Sequence, residues 1–131
     1  GRIAMLAVTG YLVQEVVRLP GLLSSSQKLA FADVPNGLAA LKAVPGAGWV
    51  QIVCAALLLE WGPFAQKDEN EPGDIGGDFW LRYPDPEVKK NKLNIEINNG
   101  RAAMMAIMGL MVQDAITGDA PFAEFALKGI H

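Results

Sequence analysis

One cysteine, Cys54, and one histidine, His131, are all that the 131 residues contain. A single thiol excludes an intrachain disulfide framework. A lone terminal imidazole excludes histidine-based triads and multi-histidine metal sites. Positive charge is scarce as well: 11 Lys and Arg stand against 14 Asp and Glu, a formal net charge of -3. That balance leaves no concentrated basic face for binding phosphates. Only 19% of residues are charged, against about 25% in ordinary soluble domains. The chain opens at Gly1 without a charged leader or cleavage pattern, so any targeting segment is expected to have been removed or to lie outside it.

The sparse charge is unevenly placed. Residues 63–95 hold 12 of the 25 charged side chains. Two apolar regions therefore flank one polar connector rich in Pro and Gly. A long structureless connector is unusual inside a compact soluble domain and ordinary between membrane helices.

An internal repeat organises the rest. With an offset of 99, GRIAMLAVTGYLVQE (1–15) lies over GRAAMMAIMGLMVQD (100–114), and eight of fifteen positions are identical. Ala, Met, Leu and Gln dominate both copies, and neither contains a proline, so both read as helix. The spacing predicts a first helix over about 1–18, stopped by Pro20-Gly21, and a middle helix over about 46–62 between Pro45 and Pro63. It predicts a third over about 88–117 and a short amphipathic helix over about 121–129 after Pro121. No strands are expected. The fold class is an all-α membrane protein of one domain, with three transmembrane helices, the first and third related by a pseudo-two-fold axis.

Hydropathy alone is ambiguous, because the longest uncharged run, 43–59, has 17 residues, slightly short of a typical span. Three features favour insertion over a soluble bundle. Trp49 and Trp61 bracket the middle helix about 18 Å apart, as interfacial anchors do. Small residues on the repeat helices (Ala7, Gly10, Ala102, Ala106, Gly109) permit close packing in lipid. Leu93 to Thr117 would reach about 37 Å.

Ionisable groups at membrane depth face the bundle interior and need partners. Repeat symmetry places Arg2 of the first helix opposite Glu96 of the third. The reciprocal partner of Arg101 would be a Glu ahead of Gly1, so the first helix is expected to be truncated at its start. An interhelical ion pair explains Glu96 and both arginines. It does not explain Asn99, Gln113, Gln14, Gln51 and Glu60, each a lone oxygen donor in an apolar helix. Such donors suit a metal needing one axial oxygen, as the magnesium of a chlorophyll does. A glutamate neutralised by arginine serves in the same way.

EINNGRAAMMAIMGLMVQD (96–114) resembles the third transmembrane helix of the light-harvesting chlorophyll-binding family, and GRIAML (1–6) resembles the same signature in its first helix. The segments 31–53 and 76–101 are similar to the fucoxanthin/peridinin chlorophyll a/c branch, nearest to the dinoflagellate peridinin type. The resemblance covers nearly the whole chain. It implies a chloroplast thylakoid protein that binds chlorophyll a, chlorophyll c, peridinin or a related carotenoid, and diadinoxanthin. Excitation would pass to a photosystem core (I ahead of II) among lipids and neighbouring antenna subunits. It implies Glu96 (paired with Arg2), Asn99 and Gln113 as chlorophyll ligands of the third helix and Gln14 as one of the first. Gln51 and Glu60 match the middle-helix ligands, although their spacing differs by one residue from the green-plant pattern. Arg101 would pair with the first-helix Glu. A histidine ligand of green relatives falls at Lys128, with His131 three residues beyond.

Simpler readings stand beside these. Met104, Met105, Met108 and Met111 suit helix packing, with pigment grooves as the alternative. Cys54 reads as a small apolar residue. Glu96-x-x-Asn99 lacks the histidine and second copy of a di-metal carboxylate enzyme. Phe79, Trp80 and Tyr83 belong to a solvated loop or cover pigment heads. Three functions remain: an antenna, an energy-dissipating photoprotective relative on the same scaffold, and a pigment-free structural bundle.

Overall fold

The computed structural model describes residues 1–75 and 81–118; the expected helix at 121–129, with Lys128 and His131, and the aromatic pair Phe79 and Trp80 lie outside them. The elements in order are α1 (Arg2–Val16), β1 (Leu22–Ser24), β2 (Leu29–Ala30), 3-10 turns at Phe31–Asp33 and Gly37–Ala39, α2 (Ala40–Ala43), α3 (Gly46–Trp61) and α4 (Pro86–Thr117). The chain divides into two compact units, residues 1–44 with 93–131, and residues 45–92.

Local chemistry fixes the helix ends. In α1 the backbone turns extended at Val17, ahead of Pro20, which cannot continue a helix. Pro45 immediately precedes α3, and Gly62 follows it, donating its N–H to the Leu58 carbonyl at 3.0 Å. α4 opens with Pro86, whose missing N–H costs nothing at a first helical position. Asp85 caps it by accepting the Glu87 N–H at 2.9 Å. Gly118, at φ 70°, closes it by donating to the Asp114 carbonyl at 2.8 Å.

Within the first unit, a small antiparallel hairpin pairs Leu22 with Ala30 and Ser24 with Leu29, although no strand was expected. Strands of three and two residues are too short to show alternation. Lys28 occupies the left-handed region (φ 52°) that closes the turn. Arg18, just past α1, donates to the carbonyls of Phe31 (3.2 Å) and Val34, so the turn after the hairpin is tied to the end of α1.

In the second unit, the described residues of the connector after α3 are held by polar contacts rather than left structureless. Gln66 accepts the Gly73 N–H at 2.9 Å and donates to the carbonyls of Lys67 and Glu71. Asp74 pairs with Arg82 at 2.6 Å and Glu71 with Lys89 at 2.9 Å. The Lys92 ammonium lies 5.9 Å from the Tyr83 ring centroid. Single exposed pairs are worth about 0–1 kcal/mol each. The Gln66 side chain contributes more to the loop's shape, because it satisfies three backbone groups at once.

No apolar residue is buried among those described; Gly100 and Asp114 are the only buried positions. Large apolar side chains stand open instead, including Ile3, Met105 and Trp61. From Val50 to Trp61 every residue of α3 is exposed. Along α1 and α4 the half-buried positions recur at helical spacing, Met5, Val8 and Leu12 on one and Ala103, Ile107 and Leu110 on the other. Apolar burial is the main favourable term in folding, and the described residues supply little of it among themselves. No single helix among the described residues is long and apolar enough to cross a membrane: α3 has 16 residues, and the 32 residues of α4 begin with a charged stretch.

Asp85→Ala removes a cap worth about 1 kcal/mol, so it should lower the melting temperature of the helical circular-dichroism signal in detergent. Asp85→Asn should keep most of that stability.

Candidate functional site

Two polar interlocks join α1 to α4. At one end Arg2, the first residue of α1, pairs through Nε with Oε1 of Glu96. The side chains are 49% and 36% exposed. In water such a pair would be worth about 0–1 kcal/mol, whereas in an apolar surround neither group could be left alone without a far larger cost. Beside the pair the two backbones touch. A Cβ on Gly100 would lie 3.0 Å from the Gly1 Cα, and one on Gly1 would lie 3.2 Å from the Gly100 Cα.

The other interlock is a feature that sequence reasoning missed. Asp114 is only 7% exposed and accepts the Leu38 backbone N–H at 2.6 Å. Gly37 adopts φ 69°, and a Cβ there would fall 2.7 Å from Tyr11 Oη and 2.8 Å from Asp114 Cγ. Residues of α1, α4 and the 37–39 turn thus close around one carboxylate. The available signal was the repeat itself, which puts an acid at the end of both copies, Glu15 and Asp114. Both Glu15 carboxylate oxygens are also shielded from solvent. Glu96 and Asp114 are 18 residues apart, about 27 Å along the helix, close to the roughly 30 Å of a hydrocarbon core. Between them α4 carries one charge, Arg101.

The structure brings Arg2 and Glu96 together and leaves the other candidates apart. Asn99, Gln113, Gln14, Gln51 and Glu60 are all exposed. Their side chains make no hydrogen bond or ion pair with another described residue. Arg101, the repeat mate of Arg2, likewise has no acidic partner among the described residues.

Gln113 borders an open apolar groove of about 500 Å³ with Met105, Met108, Gly109, Val112 and Ile116. The methionines here line a surface rather than a core. Thr117, which also lines the groove, turns its hydroxyl back onto the Gln113 backbone carbonyl at 2.9 Å. Cys54 is exposed on α3, not buried as its apolar character suggested. The described residues hold no cluster of three His, Cys, Asp or Glu side chains able to chelate a free metal ion. Each donor can supply one ligand to a centre whose remaining ligands come from elsewhere. A macrocyclic magnesium fits that donor set: it needs a single axial oxygen and a flat apolar surface beside it.

Comparison with known proteins agrees with this chemistry. Residues 1–115 match the family model described as chlorophyll A-B binding protein. The chain is 45% identical to fucoxanthin-chlorophyll a-c binding protein F, chloroplastic, of Macrocystis pyrifera, over 98% of its own length and 63% of the relative's. It is 44% identical to fucoxanthin-chlorophyll a-c binding protein A, chloroplastic, of Phaeodactylum tricornutum, over 88% and 61%. The chain thus spans less than two thirds of these curated relatives.

Gly37→Ala should destabilise the protein by more than about 1 kcal/mol, since left-handed strain adds to the clash with Tyr11 and Asp114. Gly21→Ala carries the strain alone, as nothing lies within 4 Å of its added Cβ. Thermal unfolding in detergent should rank Gly37→Ala below Gly21→Ala.

Proposed function

This chain belongs to the chlorophyll A-B binding protein family, and from that premise we propose that it is a membrane antenna protein which binds chlorophylls and carotenoids and passes excitation energy to a photosystem. One observation carries the reading. Single oxygen donors stand on exposed apolar helices, unpaired among the described residues, in a molecule with no apolar core of its own. A polar group in an apolar setting costs free energy unless something satisfies it.

Bound chlorophyll supplies the visible absorption and the excited state that moves on to a neighbour; no chemical bond is made or broken. The protein fixes position. Arg2 cancels the charge of Glu96, so that the pair as a whole is neutral where a carboxylate oxygen would hold a pigment, and Arg101 would do the same for a carboxylate of the first helix. Asn99 and Gln113, 14 residues apart on α4, hold pigments in two layers about 21 Å apart. Gln51 and Glu60 on α3 and Gln14 on α1 complete the ligand set. The groove beside Gln113 offers a flat apolar wall for one face of a ring.

In this reading α1, α3 and α4 are the three membrane spans of one light-harvesting domain in the chloroplast thylakoid. The pigments are chlorophyll a and chlorophyll c with a fucoxanthin- or peridinin-type carotenoid and diadinoxanthin; the names of the relatives support fucoxanthin and chlorophyll a-c. The partners are a photosystem core, I ahead of II, neighbouring antenna subunits and lipid.

Carotenoid excitation of the detergent-solubilised protein should give chlorophyll a emission, and Gln113→Leu should remove a single chlorophyll with little change in helix content. Bound pigments with strongly shortened fluorescence would instead mark an energy dissipator. A colourless folded protein, or a Gln113→Leu variant with its full pigment complement, would overturn the ligand assignment.

A further inference from the structure

Gly1 and Gly100 are repeat mates, separated by the same 99 residues that relate the two helical copies. A residue can touch its own mate only where the two-fold axis passes, and these two do touch. The opposing atoms are all backbone: a Cβ on Gly100 would meet the Gly1 Cα at 3.0 Å and its carbonyl carbon at 3.5 Å. Backbone cannot rotate away as a side chain can, so any side chain here forces the helices apart. The second mated pair, Gly10 and Gly109, is different, because a Cβ on either meets nothing within 4 Å. The requirement is therefore local to the crossing. Arg2 adjoins Gly1 along the chain, and Glu96 lies four residues, one helical turn, before Gly100. The ion pair thus sits where the interhelical distance is set.

We propose that Gly1 and Gly100 are positioning residues for the pigment ligand Glu96: their backbone contact holds α1 and α4 at the spacing at which Arg2 neutralises that carboxylate. This rests on the reading of Glu96 as a chlorophyll ligand. A larger residue at position 100 leaves Glu96 on its helix but withdraws its counter-charge. A charge in an apolar surround that loses its partner is strongly unfavourable, so the neutral Arg2–Glu96 pair that would hold a pigment is lost. The role runs through charge, which separates it from a general packing role. Where the ligand is a neutral amide, the spacing no longer matters to pigment binding.

The test refolds the full-length protein with a chlorophyll and carotenoid extract and reads chlorophyll per protein and the difference absorption spectrum. Arg2→Leu/Glu96→Leu identifies the band of the chlorophyll at Glu96. Gly100→Val should lose that band selectively, while Gly10→Val keeps it. In the neutral background Arg2→Leu/Glu96→Gln, adding Gly100→Val should cause no further loss. Equal loss in both backgrounds, loss spread over all bands, or an intact band in Gly100→Val would overturn the proposal. Retention of every chlorophyll by Arg2→Leu/Glu96→Leu would instead refute Glu96 as a ligand, a separate result from failure of the glycine role.

Discussion

Polar groups at their two ends tie α1 and α4 together. Arg2 and Glu96 close one end; Asp114, Tyr11 and the Gly37–Leu38 backbone close the other. Between these points Met5, Val8 and Leu12 of α1 and Ala103, Ile107 and Leu110 of α4 are half-buried, and the larger part of the apolar surface stands open. A soluble protein built in this way would have no driving force for folding. In lipid the balance reverses, because apolar sides are already matched to their solvent and helix association depends on close packing and hydrogen bonds instead. The two interlocks supply these.

Such a frame explains why the donors can be so plain. A chelating protein must bring several ligands to one point, which needs a packed core to hold them. On the proposed reading each of Asn99, Gln113, Gln51, Glu60 and Gln14 would act alone on its helix, so the only demands would be correct depth and a flat neighbour. Helical rise meets the first demand and apolar side chains such as Met105 and Met108 meet the second. The exposed methionines, adaptable in shape, suit such a wall better than branched residues would.

Much of this was legible in the sequence because it is local or repeated. Pro20, Pro45, Gly62 and Pro86 punctuate the helices where they stand, and the 99-residue offset pairs Arg2 with Glu96 without any structure. The rest depends on contacts that leave no local trace. Asp114 meets Leu38 across 76 residues, and an aspartate after a glutamine looks the same whether buried or free. The hairpin of Leu22–Ala30 is too short to show a period. The connector's order rests on the Gln66 amide and the Arg82 and Lys89 ion pairs, polar groups indistinguishable in sequence from those of a solvated loop. The surface position of Met105 and Met108 was not legible, since methionine packs a core or lines a groove equally well.

The meeting of Gly1 with Gly100 has the form of an isologous dimer contact, drawn inside one polypeptide. In a true homodimer every substitution appears twice, once on each side of the axis, and neither half can specialise alone. Joining the halves in one chain, with 84 residues between the two copies (16–99), removes that restriction. Tyr11 faces Gly37, whereas its mate is Leu110; Glu15 has become longer by a methylene than Asp114; and the turn at Gly37–Leu38 serves the Asp114 end, having no duplicate to serve the other. The axis preserves the geometry of a symmetric pair while the sequence drifts away from it, so two equivalent helices can present unequal environments to whatever lies beside them.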